Sequence, residues 1–147
     1  MEITNNFKLP EFVVEALTFS DYSRGDAQIS VTQLIDSPRI VQLQKQFADE
    51  QKKDAVDFVW SRFGTSVHKM FEESLKAAKS DAVTEERLFT DWRGWTLSGA
   101  IDVQEVHDDG VIISDFKVTS VWSVINDKPS WHQQLNVYAY LVRKAKG

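Results

Sequence analysis

GAIDVQEVHDDGVIISDFKVTS, residues 99 to 120, reads as two β-strands around an Asp109-Gly110 turn, and its apolar second arm carries two charges. Val111, Ile112, Ile113, Phe116 and Val118 are the branched and aromatic side chains of a strand with a buried face. Alternate side chains of a strand share a face, so Asp115, Lys117 and Thr119 point together, opposite Phe116 and Val118. In the first arm Asp102 sits in a similarly apolar setting, and the turn can bring the two carboxylates side by side. Like charges in a semi-buried cleft call for a proton or a bridging cation, and an oxygen-rich site suits Mg2+ or Mn2+. A plain ion pair of Asp115 with Lys117, or a solvated edge-strand face, accounts for the same spacing equally well.

Upstream, RLFTDWRGWTL adds a strand and an Arg93-Gly94 turn, so three strands joined by two hairpins are expected. From about Asp54 to Lys79 the apolar residues Val56, Val59, Phe63, Val67, Met70, Phe71 and Leu75 recur at threes and fours, which predicts a long amphipathic helix. Gly64 interrupts it at a cost of about 1 kcal/mol relative to alanine. Gly64, His68 and Glu72 follow at four-residue intervals and share one face, where the missing side chain clears space beside the imidazole.

At the C-terminal end WHQQLNVYAYLVRKAKG predicts another helix, with Leu135, Tyr138, Leu141 and Val142 on one stripe and Gln134 and Tyr138 paired at i, i+4. Earlier, ISVTQLIDSPR offers two helix starts. Ser30 with Gln33 fits a capping box, and Ser37 followed by Pro38 fits an N-cap with proline at the first helical position.

Composition narrows the chemistry. The 147 residues suit one domain with one proper core. With no cysteine, disulfides, thiolate zinc sites, iron–sulfur clusters and a cysteine nucleophile are excluded. No stretch approaches the ~18 apolar residues of a membrane span, and MEITNNFKLPEF does not read as a secretory leader, so a cytoplasmic protein is expected. The formal charge of −5 argues against coating nucleic acid by bulk charge. A local track is nevertheless available from Lys45, Lys52, Lys53, Arg62, Lys69, Lys76 and Lys79.

Taken in chain order, GTSVH (64–68), GAID (99–102), DFK (115–117) and QLNVY (134–138) resemble the GxxxH, GxxD, (D/E)xK and QxxxY signature of the RecB-like exonuclease branch of the PD-(D/E)XK nuclease superfamily. Each motif is short, and their order on helix, strand, strand and helix makes the combination specific. The resemblance spans about residues 29 to 142 and implies an α/β fold with a restriction-endonuclease-like core, a central mixed β-sheet flanked by helices. The nuclease domain would occupy residues 29–147, preceded by an N-terminal arm or extra strand over residues 1–28. The family core normally adds a strand after the QxxxY helix; the expectation is that this strand is missing from a shortened chain, or that FVVEALTF (12–19) or a partner chain completes the sheet.

By the same resemblance His68, Asp102, Asp115 and the backbone carbonyl of Phe116 would hold one or two Mg2+ or Mn2+ ions. Lys117 would orient or help deprotonate the attacking water, and Gln134 and Tyr138 would position Lys117, the water or a DNA phosphate. The implied activity is metal-dependent hydrolysis of single- or double-stranded DNA, as an exonuclease of recombination, repair or phage replication. The compartment would be a bacterial cell or phage-infected host, and a homo-oligomer or a protein partner is compatible with it. The contrasting expectation is a nuclease-like domain that binds nucleic acid or protein without cutting.

Overall fold

The computed structural model describes residues 1–20, 23, 25–78 and 80–147; Lys79, the expected end of the long helix, lies outside the described residues. The chain opens with strand β1 (Glu2–Thr4) and helix α1 (Glu11–Thr18). Strand β2 (Ile29–Ser30) then leads into helices α2 (Val31–Ile35) and α3 (Pro38–Gln46). The helix starts follow local chemistry. Gln33 N donates to Ser30 Oγ and the Gln33 side chain accepts from Ser30 N, closing the capping box, while Pro38 stands at the first turn of α3 after Ser37.

Strand β3 (Lys52–Asp54) follows, then a 3-10 turn (Ala55–Phe58) and the long helix α4 (Val59–Ala77). Strands β4 (Val83–Trp92), β5 (Trp95–His107) and β6 (Gly110–Ser114) come next, and helices α5 (Val121–Ile125) and α6 (Pro129–Lys146) end the chain.

β5 is the axis of the main sheet. β4 runs antiparallel along it from Trp92↔Trp95 to Val83↔Gln104. A strand has two edges, so β2 and β6 divide the other one: β2 pairs in parallel at Leu97 and Ser98, and β6 antiparallel from Val103 to His107. The result is a mixed sheet flanked by helices, the α/β architecture expected. At the first hairpin, Arg93 (φ 53°) and Gly94 (φ 80°) both take the left-handed conformation that a two-residue turn needs to match strand twist. The second turn falls one residue earlier than expected, at Asp108-Asp109, and Gly110 already pairs with His107.

Val31, Leu88, Leu97, Ile101, Tyr138, Leu141 and Val142 form the core between α2, α6 and the sheet. Gly99 sets their spacing. A Cβ there would lie 2.7 Å from Val31, 2.8 Å from Tyr138 and 2.9 Å from Leu141, so only glycine lets both helices approach β5 this closely. On α6 the buried stripe is Gln134, Tyr138, Leu141 and Val142; Leu135, expected on it, is rotated outward.

Three expectations need correction. Residues 12–19 do not supply a strand, because Glu11–Thr18 is helical. β1 instead pairs in parallel with β3 in a separate two-stranded sheet, where Asp54 Oδ2 accepts from Thr4 Oγ1 (2.9 Å) and Asn6 N (2.8 Å). Second, the strand ends at Ser114 and does not run through Thr119. The next position on β5 is Asp102, whose carboxylate takes the Phe116 N–H at 2.7 Å, and β2 occupies the edge farther on. Third, the apolar stripe of α4 is not buried: Val59, Phe63, Met70 and Phe71 all stay exposed. Of the tryptophans, Trp92 packs on the core, whereas Trp95 and Trp122 are exposed.

Candidate metal centre and cleft

Counting outward from the Arg93-Gly94 turn sets Glu85 opposite Asp102, between the pairs Thr84↔Val103 and Glu86↔Ile101. Glu85 has φ 51°, a left-handed conformation that costs a non-glycine residue about 1–2 kcal/mol and breaks the regular strand there. Its carboxylate joins His68, from the middle of α4, and Asp102, from β5. One ligand atom from each of the three lies within 4.8 Å of the others. His68 Nδ1 is 3.4 Å from Asp102 Oδ2 and 4.0 Å from Glu85 Oε1.

The electrostatics of this group are unfavourable as it stands. Burial pushes the Asp102 carboxyl above its usual range, and Asp115 pushes the same way; the Phe116 N–H, His68 and Lys117 offset this only in part. Burial also raises Glu85, followed by Asp102 and Glu72, against His68 and Arg87. Two carboxyls of weakened acidity and an imidazole nitrogen are a donor set that a hard divalent cation satisfies.

Asp115 and Lys117 lie just past the end of β6 and form an ion pair with each other, the bland alternative that their spacing allowed. Asp115 falls outside the three-residue donor group, whose third member is Glu85. Between them Phe116 stacks on Phe71 of α4 (centroids 4.4 Å apart, 21° between planes) and meets His68 edge-on at 6.2 Å. This sandwich holds the 115–117 backbone and its carbonyls against the helix that carries His68. Gln134 Nε2 donates to Tyr138 Oη at 2.8 Å, and both residues are buried. Tyr138 faces a smaller recess of about 160 Å3 that adjoins the cleft in front of the donor group, sharing Arg87 and Ala100 with it.

The donor group opens onto a cleft of about 770 Å3. Gly64, His68 and Glu72 line it, so the polar face of α4 turns toward the site, and a Cβ at Gly64 would meet nothing within 4 Å. Arg62, Lys69, Arg87 and Lys117 add positive charge to the walls. Arg62 is braced by a 2.8 Å bond from Nε to Leu17 O. Elsewhere Lys52 pairs with Glu2 and Lys76 with Glu72, and Lys79 lies outside the described residues.

The model of the PD-(D/E)XK nuclease superfamily matches residues 32–147. The chain belongs to this superfamily. Among solved structures, the crystal structure of SSO0001 is similar, with a TM-score of 0.63 and 18% identity. The match covers 91% of this chain and 66% of that one, and at this identity it speaks for a shared fold alone. No curated protein sequence matches the chain. Among the described residues, no helix is long and apolar enough to cross a membrane.

Glu85 is the site residue that the motifs do not reveal. Its signal was the hairpin register: a two-residue turn at Arg93-Gly94 dictates which residue faces Asp102.

Proposed function

We propose that the chain is a Mg2+- or Mn2+-dependent deoxyribonuclease of the RecB-like exonuclease branch, serving recombination, repair or phage replication in the cytoplasm of a bacterial cell or infected host. The observation that carries this reading is the convergence of His68, Glu85 and Asp102 beside the Asp115–Lys117 pair in a basic-walled cleft. Residues 29–147 are the nuclease domain in this reading, and residues 1–28 an arm laid against it.

His68, Glu85 and Asp102 would hold the ion, with Asp115 and the Phe116 carbonyl completing the set. A bound ion supplies polarisation of the phosphoryl oxygen and acidification of water. Lys117 binds the attacking water or a non-bridging phosphate oxygen and offsets negative charge as it develops. Arg62, Lys69 and Arg87 hold flanking phosphates of one strand. The Gln134–Tyr138 pair acts at one remove, fixing α6 against β5 behind the site. Water adds to phosphorus, the bond to the leaving sugar oxygen breaks, and a phosphomonoester and a hydroxyl result.

The test incubates labelled linear and circular DNA with Mg2+ or Mn2+, comparing the protein with Asp115→Ala, Lys117→Ala and Glu85→Gln. Hydrolysis of linear DNA that falls at least ~100-fold in all three variants supports the proposal. If the unaltered protein and its variants bind DNA alike and leave it intact, the domain is a binding module and the nuclease reading fails.

A further inference from the structure

We propose that the recess beside Trp60 binds one unpaired nucleobase, making a single-stranded or frayed end the preferred occupant of the cleft. This base site rests on the nuclease reading of that cleft for its occupant, and it lies in a place that the metal centre does not use.

Trp60 stands in the first turn of α4 with 76% of its surface exposed, an unusual position for the largest apolar side chain in a folded protein. Its ring is held edge-on by Phe63, with centroids 6.2 Å apart and 74° between planes. Trp60, Val118, Thr119 and Ser120 enclose a recess of about 330 Å3. That volume lies at the lower end of the ~300–1,000 Å3 typical of small-ligand sites. The lining is mostly apolar, with two hydroxyl-bearing residues, Thr119 and Ser120, among its four, which suits the face and edge of a heterocycle.

The recess adjoins the cleft, because Trp60 and Val118 line both. Trp60, Gly64 and His68 follow at four-residue intervals, so they share the face of α4 that turns to the site. Eight residues along a helix place Trp60 about 12 Å from His68 along the axis, within a few nucleotides of the phosphate at the metal centre. Val118 directly follows Lys117, and Arg62 and Lys69 flank the path between. A strand whose phosphates track these cations therefore meets an aromatic platform as it leaves the centre. A paired base inside a duplex has both faces stacked on neighbours and cannot use such a platform. An unpaired base can, and stacking on tryptophan is tolerant of sequence.

Binding is read on the full chain carrying Asp115→Ala, so that cleavage does not interfere, with a fluorescein-labelled single-stranded oligonucleotide followed by anisotropy. Adding Trp60→Ala is expected to weaken this binding about tenfold, and Trp60→Phe to restore most of it. Affinity for a blunt duplex stays the same in all three proteins. An oligonucleotide with an abasic site at the matching position should bind equally whether the protein keeps Trp60 or carries Trp60→Ala. Circular dichroism checks that each variant folds. Equal single-strand affinity with and without the indole, or an equal loss on blunt duplex, overturns the proposal. These readouts need no hydrolysis: a protein that never cuts DNA yet shows this pattern loses the nuclease reading and keeps the base site.

Discussion

The two long helices on either side of the sheet, α4 and α6, are used in opposite ways. α6 buries Gln134, Tyr138, Leu141 and Val142 against β5 and the close approach at Gly99, whereas none of the described residues of α4 is buried. α4 instead turns Gly64, His68 and Glu72 to the cleft and keeps Phe63 and Met70 in solvent. One helix therefore carries stability and the other carries chemistry. A site helix that is not locked into the core can keep an open face toward a large substrate, and the contacts that hold it, such as Phe71 on Phe116, lie at the site itself.

Substitution on the α6 side should have the largest effect on stability. Leu141 is fully buried in the core, and Leu141→Ala is expected to cost about 2–5 kcal/mol in urea denaturation, because a cavity remains where α6 meets β5. An unchanged midpoint would mean that α6 is not the stabilising partner.

The next effect concerns the site, where function and stability should separate. Asp102→Asn keeps the bond from Phe116 N and removes a charge that burial disfavours, so the metal-free protein should melt higher by about 3 °C. Added Mn2+ should raise the melting temperature of the unaltered protein and leave Asp102→Asn unmoved. A metal-induced shift that survives in Asp102→Asn and in His68→Ala would remove the ion from this cluster.

Acid should test the α6 side more gently. Glu86 is held below the usual glutamate range chiefly by its bond from Lys146 Nζ at 2.5 Å, helped by Gln104 Nε2 at 2.7 Å. A depressed carboxyl contributes stability that is present above its unfolded value of 4.5 and is lost as pH falls through the lower folded value. Acid titration should therefore loosen the end of α6, and Lys146→Met should remove that part of the pH dependence. The smallest effect belongs to the outer face of α4: Met70→Ala, more than half exposed, should stay within about 0.5 kcal/mol of the unaltered protein. A larger loss there would show that the stripe is covered in solution.

Periodicity and capping made most of the fold legible. The box at Ser30 and Gln33, the proline start at Pro38, the Arg93-Gly94 turn and both long helices follow from local residue chemistry. What periodicity could not reveal is which side of a helix meets the sheet. The apolar stripe of α4 predicts burial, yet the sheet offers that helix Asp102 and Glu85, so the polar side faces inward. Leu135 yields its place on α6 to Gln134 because Tyr138, one turn on, anchors the buried side and bonds the amide. ISDFKVTS reads as one strand, and its pairing stops at Ser114 because a carboxylate stands where the next ladder bond would form.

The sequence by itself determined the class of fold, the two long helices and the strands around the Arg93-Gly94 turn, since these depend on residue types and on spacings along one chain. Only the tertiary structure decided that Glu85 joins His68 and Asp102, that Asp115 is held by Lys117, and that Trp60 stands open beside the cleft. His68, Glu85 and Asp102, like Trp60 and Val118, lie far apart in the chain, and sheet register and helix placement bring them together; for the neighbours Asp115 and Lys117 the structure chose between readings that their spacing had left open.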